Sequence, residues 1–222
     1  MTPFDWTDPF HFRDQLSGEE QLIAETASAF AREHLEPRVN EMYANEGVEP
    51  RIFELLGSAG LLGITISEKF GGADLGYVGY GLAAREIERV DSGYRSMMSV
   101  QNSLVMHPIN QFGTEAQKAK YLPKLVTGEW IGCFGLTEAE AGSDPASMKS
   151  NAVALAGGGY RLNGSKMWIS NAPIADVFII WAKSAAHNDK IKGFVVDKGT
   201  KGLTAPKIDG KLSLRTSVTG EI

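Results

Sequence analysis

KLVTGEWIGCFGLT, residues 124–137, changes its repeat part-way along. Before Gly128, and back as far as Ser17, apolar residues recur at threes and fours; after it they alternate, or run together with β-branched and aromatic neighbours. The first spacing lines one face of a helix and the second one face of a strand. The stretch therefore predicts an α+β chain, with a helical domain over 1–128 and a β domain over 129–222.

Working back from Gly128, Thr114–Leu125 reads as a helix with Glu115 at the positive end of its dipole. Tyr77–Val90 and Gly93–Met106 read as two more, and Pro50–Ser58 as a shorter one with proline in its first turn. Ser17-Gly-Glu-Glu20 has the form of a capping box. Leu22, Ile23, Ala27, Phe30 and His34 or Leu35 then make one face of a helix that kinks or ends at Pro37.

Forward of Gly128, the strands are expected in WIGCFGLT, NAVALA, YRLNGSKMWIS, DVFIIWAK and KGFVVD. Gly157-Gly-Gly159 and Asn163-Gly164 are hairpin signals, and the short connections predict an antiparallel, barrel-like sheet. KLSLRTSVTGEI, residues 211–222, alternates to the last residue, which suggests a piece of a longer polypeptide.

At 222 residues and 43% hydrophobic, the chain suffices for one large core or two modest ones. A net charge of -5 argues against a nucleic-acid partner. The single Cys133 closes no intrachain disulfide, and His11, His34, His107 and His187 have no zinc-ligand spacing. The opening MTPFDWTDPFHF is acidic and aromatic, unlike a signal or transit peptide, and the apolar runs are too short to cross a membrane. The expectation is a soluble, cytoplasmic protein.

Three segments carry candidate chemistry. In GLTEAEAGSD, residues 135–144, Gly135 and Gly142 let backbone N–H groups approach a ligand, and Thr137 and Ser143 add hydroxyls. Alone, this is an ordinary loop with an Asx turn. In SKMWISN, residues 165–171, a strand would present Trp168 and Ser170 on one face and Ile169 on the other, an indole plane beside a hydroxyl. Such a pair suits a planar heteroaromatic ring, and equally a core. Arg95 and Ser99 are neighbours on one helical face, with Glu88 placed to orient the arginine. That group can clamp a carboxylate or be a surface ion pair.

CFGLTEAEAGSD (133–144) and NGSKMWISNA (163–172), behind a helical opening, resemble the acyl-CoA dehydrogenase family of flavoenzymes. FDWTDPF (4–10), LAAREIERVDSGYRSMMSVQNSLVMHPI (82–109) and YLPKLVTGEWIGCFGLTE (121–138) resemble its glutaryl-CoA dehydrogenases more narrowly. Two positions depart from the pattern: Ala139 where many relatives carry proline, and Ser170 where they carry threonine.

The resemblance implies FAD as cofactor, an electron-transfer flavoprotein as partner, a homotetramer, and a further C-terminal four-helix domain that this chain lacks. It implies that Phe134, Leu136 and Thr137 meet the pyrimidine edge of the flavin, that Ser143 lies by the FAD and the thioester tail, and that Trp168, Ile169 and Ser170 flank the ring. Arg95, with Ser96, Ser99 and Glu88 around it, would face the distal carboxylate of glutaryl-CoA. The implied reaction is oxidative decarboxylation of glutaryl-CoA to crotonyl-CoA and CO2, in lysine and tryptophan degradation. The family's glutamate base falls beyond Ile222, so no residue here is assigned that role and the chain alone is expected to be inactive. The alternatives are a dehydrogenase for another short acyl-CoA, a variant that does not decarboxylate, and a non-catalytic flavin or CoA-ester binding module.

Overall fold

The computed structural model describes residues 4–6 and 8–222; Met1–Pro3 and Thr7, part of the acidic opening and of FDWTDPF, lie outside the described residues. The first helix, α1 (Gly18–Phe30), starts at the expected capping box: Ser17 Oγ accepts from the Glu20 N–H and the Glu20 carboxylate accepts from the Ser17 N–H. It runs on through a π-helical turn (Ala31–Leu35) and a 3-10 turn holding Pro37 into α2 (Val39–Asn45). Ile23, Ala27, Phe30 and Leu35 are buried, whereas Leu22 is 63% exposed and leaves the predicted face.

Next come α3 (Arg51–Ser58), α4 (Tyr77–Glu88) and α5 (Ser92–Ser99). The helix predicted to stop at Met106 instead passes through a π-helical turn, Val100–Met106, into α6 (His107–Phe112). Pro108 has no N–H to donate backwards, and the His107 N–H reaches Asn102 O, five residues behind it. α7 (Glu115–Val126) has a second capping box, Thr114 with Gln117, and ends just before Gly128, which has φ +74°.

The strands are β1 (Gly132–Gly135), β2 (Asn151–Ala154), β3 (Tyr160–Asn163), β4 (Ile169–Ser170), β5 (Val177–Ser184), β6 (Lys190–Asp197) and β7 (Thr219–Gly220). Their arrangement corrects the antiparallel barrel. The five-stranded sheet is mixed: β5 pairs antiparallel with β6 along one edge, and parallel with β1 and then β2 along the other. The chain leaves β1, makes the β2–β3 hairpin and the short β4, and returns to the same edge in the same direction. Short local connections cannot report such a return. β4 and β7 form a separate antiparallel pair.

β5 is buried on both faces, so its sequence reads as a nearly continuous apolar run. Val177 and Ile179 join the helical core with Ile52, Leu125 and Val105, while Phe178 and Ile180 join a smaller one with Cys133 and Ile169. Burial pushes the Cys133 thiol well up. The Gly157–Gly159 hairpin is present, but Asn163-Gly164 makes none: a Cβ at Gly164 would meet Ser150 Oγ, so the glycine serves close approach. In the alternating 211–222 segment only Thr219–Gly220 is a strand, although Ile222 also exchanges backbone hydrogen bonds with Lys166. Among the described residues, no helix is long and apolar enough to cross a membrane.

Candidate active site

β1 leaves the sheet at Gly135, and the loop that follows is held by one buried cation. Lys166, 2% exposed, donates from Nζ to Leu136 O at 3.0 Å and to Glu138 Oε1 at 2.8 Å. The Glu138 carboxylate also accepts from the N–H groups of Lys149 and Ser150. Burial pushes that carboxyl up, but the Lys166 ammonium and these N–H groups outweigh it and hold it at about 2. Glu138 and Ala141 exchange backbone hydrogen bonds, closing a tight turn, and Asp144 makes the expected Asx turn through the Ala146 N–H. Ser143 is exposed on this loop.

Thr137 O accepts from the Met167 N–H at 2.9 Å, which joins the loop to the next candidate segment. Trp168 is not on the strand as predicted. It sits one residue before β4 at φ +63°, in the left-handed region, with its side chain 59% exposed. It nevertheless shares a cavity of about 430 Å3 with Ser170, because Ser170 pairs with Thr219 and so faces the 210–217 segment. Thr137 and Ser143 do not line that cavity. Ile169 points the other way, into the smaller core, and Phe134 packs its ring 5.8 Å from that of Trp181.

The opposite wall is one that sequence reasoning missed. Lys211 donates from Nζ to Leu214 O, Ser217 O and Thr219 Oγ1. Burial pushes its pKa down, while Glu46 opposes the shift. Ser217, 1% exposed, also lines the cavity, while its Oγ is buried and has no hydrogen-bond partner. The wall is tied to α2: Glu46, at φ +48°, accepts from the N–H groups of Gly210 and Lys211 and pairs with Arg215 at 2.7 Å. Arg215 in turn donates to the carbonyls of Tyr43 and Ala44, capping the helix. The available signal was the run of Lys, Arg and hydroxyl residues over 211–219, which alternation alone assigned to a strand.

The third segment lies on α4 and α5. Arg95 Nε donates to Glu88 Oε2 at 2.5 Å, with the side chains 36% and 41% exposed. Glu88 also accepts from the Ser92 hydroxyl; this bond, then Arg95, holds its carboxyl below the usual value. Ser96 and Ser99 are half-buried, and Tyr80, unanticipated, joins its hydroxyl to Ser99 Oγ at 2.8 Å. Met97 and Met98 are buried. Arg95, Ser96, Ser99 and Glu88 do not line the Trp168–Ser170 cavity; the first turn of α5 meets the 210–217 segment behind it, where a Cβ on Gly93 would lie 2.1 Å from Thr216 Oγ1. Asp91 caps that turn and also accepts from Thr216.

The N-terminal domain model of the acyl-CoA dehydrogenases matches residues 17–129, and their middle domain model matches residues 133–222. The chain belongs to the acyl-CoA dehydrogenase family. Among curated relatives of this family, a mitochondrial isovaleryl-CoA dehydrogenase from Pongo abelii is 39% identical over 213 residues, 93% of this chain and 50% of that protein. A short-chain specific acyl-CoA dehydrogenase from Clostridium acetobutylicum is 36% identical over 93% of this chain and 55% of its own length. A solved glutaryl-CoA dehydrogenase from Mycobacterium smegmatis, in complex with FADH2, is 42% identical with a TM-score of 0.91, covering 96% of this chain and 54% of that one. The chain spans about half the length of the curated relatives it matches.

Proposed function

We propose that this protein oxidises glutaryl-CoA with FAD, through a helical domain over 1–128 and a β domain over 129–222. The observation that carries the reading is Arg95: a guanidinium oriented by Glu88, beside Ser96, Ser99 and Tyr80, on a helix whose first turn packs on Thr216, the neighbour in sequence of the cavity residue Ser217. A neutral acyl tail gives no reason to set a cation there, whereas a dicarboxylate does.

The residues present suit a flavin. An exposed indole offers a flat apolar wall, and the Ser170 hydroxyl offers a polar contact beside it. In this reading, the backbone at Phe134, Leu136 and Thr137 holds the pyrimidine edge, Trp168, the backbone of Ile169 and Ser170 flank the ring, and Ser143 lies by the FAD and the thioester tail. When bound, FAD accepts the hydride removed from the β carbon. The chain's own residues orient the thioester, keep water from the ring and hold the far carboxylate. Glu138 is committed to Lys166, so it is no candidate for the base that takes the α proton.

The finer parts of the reading are decarboxylation to crotonyl-CoA, transfer of electrons to an electron-transfer flavoprotein, a homotetramer, and a cytoplasmic location. The isovaleryl-CoA and short-chain relatives support a second reading, a neutral short-chain substrate. Turnover of the full-length protein with FAD and a dye acceptor separates them. Glutaryl-CoA should be preferred over butyryl-CoA and isovaleryl-CoA, with CO2 released; preference for a neutral substrate rejects the glutaryl assignment.

A further inference from the structure

Gln101 is fully buried in the π-helical turn after α5, and its planar amide is spent entirely on backbone. Nε2 donates to Leu125 O at 2.9 Å and to Trp130 O at 2.8 Å, while Oε1 accepts from the Gly132 N–H at 2.8 Å. Those three groups are the end of α7, the connection and the first residue of β1. The next peptide group is held as well: the Gly132 carbonyl accepts from Asn171 Nδ2 at 3.2 Å, and Asn171 follows Ser170. The backbone at 132 also presses against the helix, since a Cβ there would lie 2.4 Å from Val105 Cγ1.

We propose that Gln101 is a positioning residue that fixes the spacing between the Arg95 end of α5 and the β1 backbone leading to Leu136 and Thr137. Arg95 and Gln101 lie on one continuous helical stretch, so the guanidinium and the amide move together. The amide grips β1 where no side chain of β1 can, at a glycine. A buried amide with both ends engaged admits one register, because a shift in either direction leaves a buried donor or acceptor without its partner. The functional consequence rests on the reading above: a substrate that must touch both the ring and Arg95 measures this spacing, whereas a short neutral acyl group touches only one end.

The test uses the full-length protein with FAD and the variant Gln101→Met, which keeps the side chain's length and removes its hydrogen bonds. Amide hydrogen exchange should rise at least about tenfold over 132–137 while α1 is unchanged, a local loss of grip. The ratio of kcat/KM for glutaryl-CoA over butyryl-CoA should fall about tenfold or more, as small misplacements of a spanning substrate do. Faster exchange throughout the chain, or continued protection at 132–137, overturns the proposal, as does an equal loss on both substrates. Should Gln101→Met fail to fold, Gln101→Glu, which keeps the acceptor for Gly132 and loses both donors, is read by the same measurements. If the unaltered protein does not turn over glutaryl-CoA, the function falls, and the exchange pattern still decides the positioning role.

Discussion

Glu88 holds Arg95 from one helix further back: Nε meets Oε2 at 2.5 Å across the break between α4 and α5, and Ser92 bonds the same carboxylate. The pair fixes the direction of a guanidinium whose remaining N–H groups are available to a ligand.

Arg95→Ala should therefore separate substrates by charge. Because the side chain is about a third exposed, the low end of the range for a lost charged contact applies, about 2 kcal/mol or roughly thirtyfold in kcat/KM. The loss is expected on glutaryl-CoA and not on butyryl-CoA, measured by steady-state dye reduction. Equal losses would detach Arg95 from the acyl end.

The Glu138–Lys166 pair gives a pH dependence with a definite sign. Its carboxyl lies at about 2 in the fold against an ordinary 4.5, so its contribution is complete above 4.5 and is lost as pH falls through about 2. That contribution is on the order of 3 kcal/mol. Glu138→Gln strands a buried ammonium and should lower stability at pH 7 by about 3 kcal/mol or more. It should also flatten the acid limb between pH 4.5 and 2, read by urea unfolding at a series of pH values. An unchanged acid limb would mean the carboxylate is not what the acid titrates.

Trp168 at φ +63° should show opposite effects on folding and on ligand binding. A left-handed residue with a side chain costs about 1 kcal/mol, and an indole 59% exposed returns little packing. Trp168→Gly is expected to raise the urea midpoint of the flavin-free protein and to weaken FAD binding, followed by calorimetric titration. Tighter FAD binding would contradict a role for the indole as the ring's wall.

Removing the Glu46 carboxylate should loosen the cavity wall without melting the helices. Glu46→Ala deletes two backbone acceptances and the partner of Arg215. Trypsin is expected to cut after Lys211 or Arg215 about tenfold faster, as each ~1.4 kcal/mol of lost local stability allows. Cleavage spread evenly over the lysines and arginines would instead mean general unfolding.

What could be read in advance followed the reach of each signal. Ser17 with Glu20 and the apolar run of β5 act over one turn or one strand, so their residues alone specify them. The parallel pairing of β1 with β5 joins distant segments, and the Asn163-Gly164 signal was met by a glycine making room for Ser150. At the site, Trp168 and Ser170 do share a cavity, yet through a left-handed residue, which alternation cannot express. The wall at Lys211, Ser217 and Thr219 escaped notice because its lysine and arginine bond to carbonyls, satisfying groups that a strand would have paired.

The wide turn at Val100–Met106 bears on how chain length in this helix can vary. A π turn accommodates an extra residue within an otherwise α-helical run, so the segments on either side keep the same phase with or without that surplus. Deleting one residue between 100 and 106 would tighten the turn to ordinary α geometry and leave both ends facing as before. Deleting one from α5 itself would instead swing the arginine about 100° around the axis. Single-residue length differences among relatives should thus collect in the bulge, in the middle of a helix.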